Sequence, residues 1–319
     1  MKTFRFLKTL AILLCLLPAG LRAQAPESVM VIEAYSGKIL VSQNANVKRP
    51  VASLIKVATA VVAVDWAAAT GREISSVTLS VPPVVQSIGG PNPMNLQPGD
   101  TLTLMDAIRS TVLGSDNYAA LAIAHHIGSE IQRRRGSRGD PVMVFVGEMN
   151  HLAEALGMTS TRFTNPLGLD LSKNAGHSTA ADIARLSVYA MRKNAINFMV
   201  SQKQQAVRVN GGQRRYTVKN GNDLTGVMGV NGLKAGNSGA AGPCLAVSVH
   251  REPLVRKKAD GSKGVTPRRL IVVVLNNPDR YGRAQGLIQQ GWSMYDSWLA
   301  SGAPVQDRKR EILSVRIPE

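Results

Sequence analysis

Apolar positions fall into three zones along the chain, and each zone has its own period. Val29–Glu33 and Ile39–Ser42 are short aliphatic runs separated by Ser36-Gly37, which predicts two strands joined by a turn. The middle of the chain turns helical. Ser53 to about Ala69 is rich in Ala and Val without Pro or Gly, and Thr103–Val112, Asn117–Ile127, Val142–Leu156 and Thr179–Arg192 repeat apolar residues at helical spacing. Ser178 or Thr179 suits the N-cap of the last of these, with Asp182 in its first turn. Pro82-Pro83 and Gly89-Gly90-Pro91-Asn92-Pro93 mark an irregular stretch. The final third returns to strands at Gly232–Gly236, Cys244–His250 and Leu270–Leu275, followed by a helix over Ala284–Leu299. Strands at both ends of a helical middle imply that the chain's two ends share one sheet. The expected class is α+β, with helices packed on an antiparallel sheet. There is no internal repeat or low-complexity tract. Ala303–Glu319 is charged, reads as a tail, and lacks the pattern of an amphipathic membrane anchor.

The first 25 residues read as a secretory leader. Lys2, Arg5 and Lys8 precede a short apolar core, Leu10–Leu17, and Ala23-Gln24-Ala25 has the small residues of a cleavage site. The core falls short of the about 20 residues a bilayer span needs. Pro26 disfavours cleavage directly before it, leaving Ala23 as a second cleavage position or retention as an N-terminal anchor. The expected location is the cell envelope, in the periplasm or held at the inner membrane by the leader. No later segment reads as apolar enough to cross a bilayer. Residues 26–300 suffice for one large domain. Of two cysteines, Cys15 lies in the leader, so the mature chain has only Cys244 and no intrachain disulfide. The run Cys244-Leu245-Ala246-Val247 makes that thiol a buried strand residue rather than a nucleophile.

With 38 Lys and Arg against 21 Asp and Glu, the formal net charge is +17. Basic residues cluster at Arg133-Arg134-Arg135 with Arg138, and from Arg256-Lys257-Lys258 to Arg268-Arg269. Neighbouring Gly, Ser, Asp and Pro suggest loops. Such clusters serve solubility or attract an anionic envelope surface. Few aromatics and the lack of a binding module argue against nucleic acid. The five histidines have no metal-ligand spacing, and His125-His126 reads as structural.

Three short elements carry chemistry. Ser53 and Lys56 lie three apart at a helix N-terminus, so the amine can reach the hydroxyl. A lysine can take the serine proton only if burial or a second cation lowers its pKa. Ser115-Asp116-Asn117 falls in the turn between two apolar helices. There Ser115 can relay a proton to a leaving amine, Asn117 can bind a substrate amide, and Asp116 can point away or cap the next helix. Lys234-Ala235-Gly236 lies on a late strand, where Lys234 offers charge to a carboxylate and Gly236 permits close approach. Together, in this order after a leader, they read as an active-site serine acyltransferase.

The chain resembles the D-alanyl-D-alanine carboxypeptidases, the low-molecular-mass penicillin-binding proteins, over roughly residues 27 to 300. The resemblance is carried by Ala34–Leu40, Arg49–Lys56, Leu96–Asp100, Met149-Asn150, Leu156–Phe163, Pro166–Asp170, His177–Asp182 and Gly232–Gly242. It implies a β-lactamase-like fold with a five-stranded antiparallel sheet flanked by helices, no metal or other cofactor, peptidoglycan stem peptides as substrate, and β-lactams as covalent inhibitors. Ser53 is then the nucleophile and Lys56 its base. Ser115 and Asn117 complete the site, Lys234 faces the carboxylate, and the N–H groups of Ser53 and Asn237 form the oxyanion hole. Two positions depart from the family pattern. Ala235 stands where Thr is usual, which predicts a methyl in place of a hydroxyl at the substrate carboxylate, and Asn237 stands where His is frequent. Three readings stay open beside a carboxypeptidase: an endopeptidase that cuts cross-links, a penicillin-binding pseudoenzyme impaired at Ala235, and a class A β-lactamase. The last lacks its Glu-x-x-x-Asn element here.

Overall fold

A computed structural model describes residues 26–169, 176–257 and 261–317; the leader, residues 1–25, and Asp170 lie outside the described residues. The chain runs β1 (Ser28–Glu33), β2 (Ile39–Gln43), α1 (Lys56–Ala69), β3 (Thr78–Ser80), β4 (Thr101–Thr103), α2 (Leu104–Leu113), α3 (Asn117–Arg135), α4 (Pro141–Ala155), α5 (Ala180–Arg192) and α6 (Asn194–Val200). It continues with β5 (Gln204–Val209), β6 (Arg214–Lys219), β7 (Val230–Ser238), β8 (Gly242–Lys257), β9 (Lys263–Leu275), α7 (Arg280–Ala300) and α8 (Arg308–Glu311). The main sheet is five-stranded, in the order β2-β1-β9-β8-β7, and every neighbouring pair is antiparallel. The first and last thirds of the chain therefore share one sheet, as the α+β reading expects.

The sheet separates two apolar layers. One face carries Met30, Ala246 and Val273 against the helical layer of α1 to α5. The other carries Val29, Leu245 and Val274 against Ala284, Leu287, Ile288 and Trp292 of α7. β1 is buried at every position because it is covered on both sides, which is why its sequence shows a continuous apolar run instead of alternation. The β1–β2 turn is tied by the Glu33 carboxylate, which accepts from the N–H groups of Tyr35 and Ser36 at 3.0 and 2.6 Å.

Four expectations change. Ala52–Ala69 does meet the length and hydropathy of a membrane span, with a mean hydropathy of 1.6, but 72% of it is buried as the core helix. Arg133–Arg135 form no loop; they close the last turn of α3, where cations suit the helix dipole, and left-handed Gly136 caps it. In the second basic run, Arg256 and Lys257 end strand β8 and Lys263, Arg268 and Arg269 stand on strand β9, while Lys258 lies outside the described residues. The C-terminal stretch docks back onto the body of the protein. Ile312 and Leu313 are buried, the Leu313 N–H donates to Gly37 O at 2.8 Å, and Lys38 pairs with Glu311. Cys244 is fully buried on β8, and burial pushes its thiol up to about 11, leaving it unreactive.

Candidate active site

Ser53 sits in a single 3₁₀ turn, Ala52–Ile55, that runs directly into α1. Ala52 adopts left-handed backbone (φ 47°), an uncommon conformation for alanine. The turn is wedged from two sides. A Cβ on Gly168 would stand 2.1 Å from Ala52 O, and one on Gly236 would stand 2.9 Å from the Ser53 nitrogen. The nucleophile is thus gripped between the 166–169 loop and strand β7, and both grips need glycine.

Lys56 is completely buried at the first turn of α1. Its Nζ lies 3.2 Å from Ser53 Oγ and donates to Leu167 O at 2.5 Å. Thr59, one turn on, donates to Pro166 O at 2.7 Å and pins the same loop. Burial first, and the Lys234 charge second, hold the Lys56 amine well below its usual pKa, with Asp116 opposing. A neutral amine that spends one N–H on Leu167 O has a lone pair for the Ser53 proton.

The second element forms the turn between α2 and α3. Ser115 is left-handed (φ 58°). Asp116 caps α3 through the N–H groups of Tyr118 and Ala119 (2.9 and 3.0 Å) and accepts from Ser110 Oγ at 2.8 Å. It therefore braces the turn, and burial raises its pKa. Asn117 is the first residue of α3. Its N–H donates to Pro91 O (2.8 Å) and its Nδ2 to Gly89 O (3.0 Å), while its buried Oδ1 has no protein partner. A Cβ on Gly90 would stand 2.2 Å from Asn117 Nδ2. The Gly89–Pro93 stretch, irregular in the sequence, is the wall that orients Asn117.

On β7 the alternation of a strand divides the third element. Lys234 and Gly236 share the face of Ala246 and Cys244, toward the nucleophile turn. Lys234 is buried, and its Nζ donates to Ala235 O at 2.9 Å. Burial and then the Arg280 charge lower its pKa to about 7. Asn237 follows Gly236 with its side chain exposed. Ala235 departs from the expectation. Its methyl belongs to the apolar cluster beneath α7, beside its cross-strand partner Leu245, and is only 7% exposed.

Sequence reasoning missed Arg280, the first residue of α7. Its Nη1 donates to Gly236 O at 2.7 Å, which places a second cation beside Lys234. A signal was there: after the turn Asn276-Asn277-Pro278 and the Asp279 cap, a cation at the first helical position opposes the helix dipole. Among the described residues, no group of three or more His, Cys, Asp or Glu is placed to hold a metal ion.

A serine with a buried amine at its oxygen, an unpartnered amide oxygen and two neighbouring cations is an arrangement able to support acyl transfer. Comparison with known proteins gives the family. Residues 19–257 match the model of the D-alanyl-D-alanine carboxypeptidase family, and the chain belongs to that family. It is 27% identical to the carboxypeptidase DacF of Bacillus subtilis over 72% of this chain and 55% of that protein. It is 30% identical to the carboxypeptidase DacA of Escherichia coli over 70% of this chain and 52% of that one. Against the D-alanyl-D-alanine endopeptidase of Escherichia coli, identity is 25% over 72% of this chain and 70% of that protein. The chain thus spans about half the length of the two carboxypeptidases. The fold matches the DD-transpeptidase of Streptomyces K15 with a TM-score of 0.68 at 24% identity, covering 83% of this chain and 96% of that one.

Proposed function

We propose that the protein is a serine-type D-alanyl-D-alanine carboxypeptidase that acts on peptidoglycan stem peptides through an acyl-enzyme on Ser53. The observation that carries this reading is the fully buried Lys56 amine, 3.2 Å from Ser53 Oγ. Lys56 takes the hydroxyl proton as Ser53 attacks the carbonyl between the two D-alanines. The N–H groups of Ser53 and Asn237 hold the developing oxyanion. Ser115 passes the proton to the departing D-alanine amine, and Asn117 Oδ1 accepts from a substrate amide. Lys234 and Arg280 receive the terminal carboxylate. Water then attacks the acyl-enzyme and frees the shortened stem. β-Lactams acylate the same serine.

A second reading, an endopeptidase that opens cross-links, draws support from the match that spans 70% of the Escherichia coli endopeptidase. Digesting purified peptidoglycan separates the two. Release of free D-alanine supports the first, conversion of dimers to monomers supports the second, and neither product would leave a pseudoenzyme. The proposed setting is the periplasmic side of the envelope, where the positive charge favours an anionic surface.

Arg280 changes the expectation for Ala235. A hydrogen bond to a charged group is worth about 1.5–3 kcal/mol, so Arg280→Ala should slow acylation by penicillin roughly 10- to 100-fold. With Arg280 in place and Ala235 enclosed in the α7 cluster, Ala235→Thr should change that rate less than about threefold, since a recovered bond would have to exceed 1.4 kcal/mol for each factor of ten. Second-order acylation rates of both variants check this.

The pH profile has a definite sign. Lys234 attracts a carboxylate only while protonated, and it titrates at about 7 in the free enzyme. For a carboxylate-terminated peptide, kcat/KM should therefore fall as pH rises through about 7. A peptide ester or amide of the same sequence should lack that limb. Equal alkaline limbs for both substrates would remove Lys234 from carboxylate binding.

A further inference from the structure

The hairpin of β8 and β9 outruns the sheet it belongs to. β7 stops pairing with β8 at Val249, and β1 stops pairing with β9 at Leu270. The two strands continue together to Lys257↔Lys263, with a register shift between Arg251 and Leu254. His250–Lys257 and Lys263–Arg269 thus form a two-stranded arm. Arg251, Arg256, Lys257, Lys263, Arg268 and Arg269 stand on it, against Glu252.

The base of the arm is braced. Arg251 stacks over Trp292 at 4.3 Å and meets Asp296 at 3.1 Å, both on α7, and Arg269 donates to Met191 O at 3.3 Å. The outer half is not. Among the described residues, Arg256, Lys257 and Lys263 form no ion pair. Lys257 faces Lys263 directly across the strands, a pairing of like charges that weakens a hairpin. Two residues inward on the same face, Val255 pairs with Val265, and these are 57% and 62% exposed. An exposed cross-strand valine pair beside facing lysines gains nothing in water, and isolated two-stranded ribbons are marginal there. The pattern fits the boundary between headgroups and acyl chains, where valines enter the apolar side and lysines stay at the phosphates.

We propose that the β8–β9 arm docks on an anionic lipid bilayer, with Val255 and Val265 seated in the headgroup–acyl boundary and Lys257 and Lys263 on lipid phosphates. This narrows the anionic-surface reading above and does not depend on which bond Ser53 cleaves. An anionic wall polymer would satisfy the lysines but leave the valines wet, so the valines favour lipid. Val255 lies nine residues along β8 from Ala246, the cross-strand partner of Lys234. At 3.3 Å per residue that is roughly 30 Å, so docking leaves the cleft free.

The test uses the chain from Pro26 on, which contains the whole five-stranded sheet and α7; its melting transition and β-lactam acylation report its integrity. Sedimentation with vesicles of phosphatidylcholine, alone or mixed with phosphatidylglycerol, measures partition. The unaltered chain should partition only into the mixed vesicles, and less so as salt rises. Lys257→Gln/Lys263→Gln and Val255→Ser/Val265→Ser should each lower partition roughly tenfold or more, with acylation unchanged. Retained lipid binding by the valine variant overturns the proposal, and does so in favour of a polymer if the lysine variant also loses sedimentation with insoluble cell wall. Equal binding to both vesicle types, or no loss in either variant, overturns it as well. A chain that fails to acylate yet partitions as described would refute the peptidase reading and leave the arm's role standing.

Discussion

Lys56→Ala is expected to stop acylation of Ser53 without unfolding the protein. The Lys56 amine stands 3.2 Å from Ser53 Oγ and is aimed by Leu167 O. A serine hydroxyl barely ionises near neutral pH, so the base supplies most of its reactivity. A positioned general base contributes about 10²- to 10⁴-fold, so the second-order rate with a β-lactam should fall by roughly 10³-fold. The structural cost has two opposing parts. Leu167 O loses its donor, which costs about 1–3 kcal/mol. The burden of a buried amine, visible in its lowered pKa, is lifted at the same time. The melting transition should therefore drop only modestly. Lys56→Met, which refills the volume, should be as inactive and more stable. Ser53→Ala should give no covalent adduct in an intact-mass measurement. Near-normal acylation by Lys56→Ala would assign the base to another group.

Much of this arrangement was legible in the sequence, for identifiable reasons. The strand β1 and the inner parts of β8 and β9 announce themselves because burial on both faces of a sheet forces continuous apolar runs. Ser53 and Lys56 declare their contact because helical spacing alone brings i and i+3 together. What stayed hidden depends on tertiary packing. Leu167 contributes a backbone carbonyl, and a carbonyl has no residue signature. Asn117 was visible, but the wall that aims it, Gly89 to Pro93, looked like any loop until Gly90 was seen against its amide. Arg280 reaches Gly236 from a helix 44 residues further on. The outer arm was misread because Arg, Lys and Pro suggest solvated loop, whereas a cross-strand ladder satisfies its backbone whatever the side chains are. The strands β3 and β4, three residues each, are too short to show a period.

Gly236→Ala is expected to damage the enzyme nearly as much as loss of the base, through geometry alone. The backbone at Gly236 lies outside the left-handed region, so alanine meets no conformational penalty there. The cost is steric. The new methyl carbon would stand 2.9 Å from the Ser53 nitrogen, 3.3 Å from Ala52 Cβ and 3.4 Å from the Leu54 nitrogen. Two of these are backbone atoms of the nucleophile turn, which cannot rotate away as a side-chain tip can. The turn is also held from behind, where a Cβ on Gly168 would meet Ala52 O. The strain must then shift Ser53 relative to Lys56, or β7 relative to both. A displacement of about 1 Å costs roughly 10²-fold in rate, and overpacking costs typically 1–3 kcal/mol of stability. Acylation by a β-lactam should slow by about that factor, with a lower melting temperature. Gly239→Ala, in the adjoining β7–β8 turn with nothing within 4 Å of its added carbon, should match the unaltered protein in both measurements. If Gly236→Ala acylates normally, the close approach of β7 to Ser53 plays no part in holding the nucleophile.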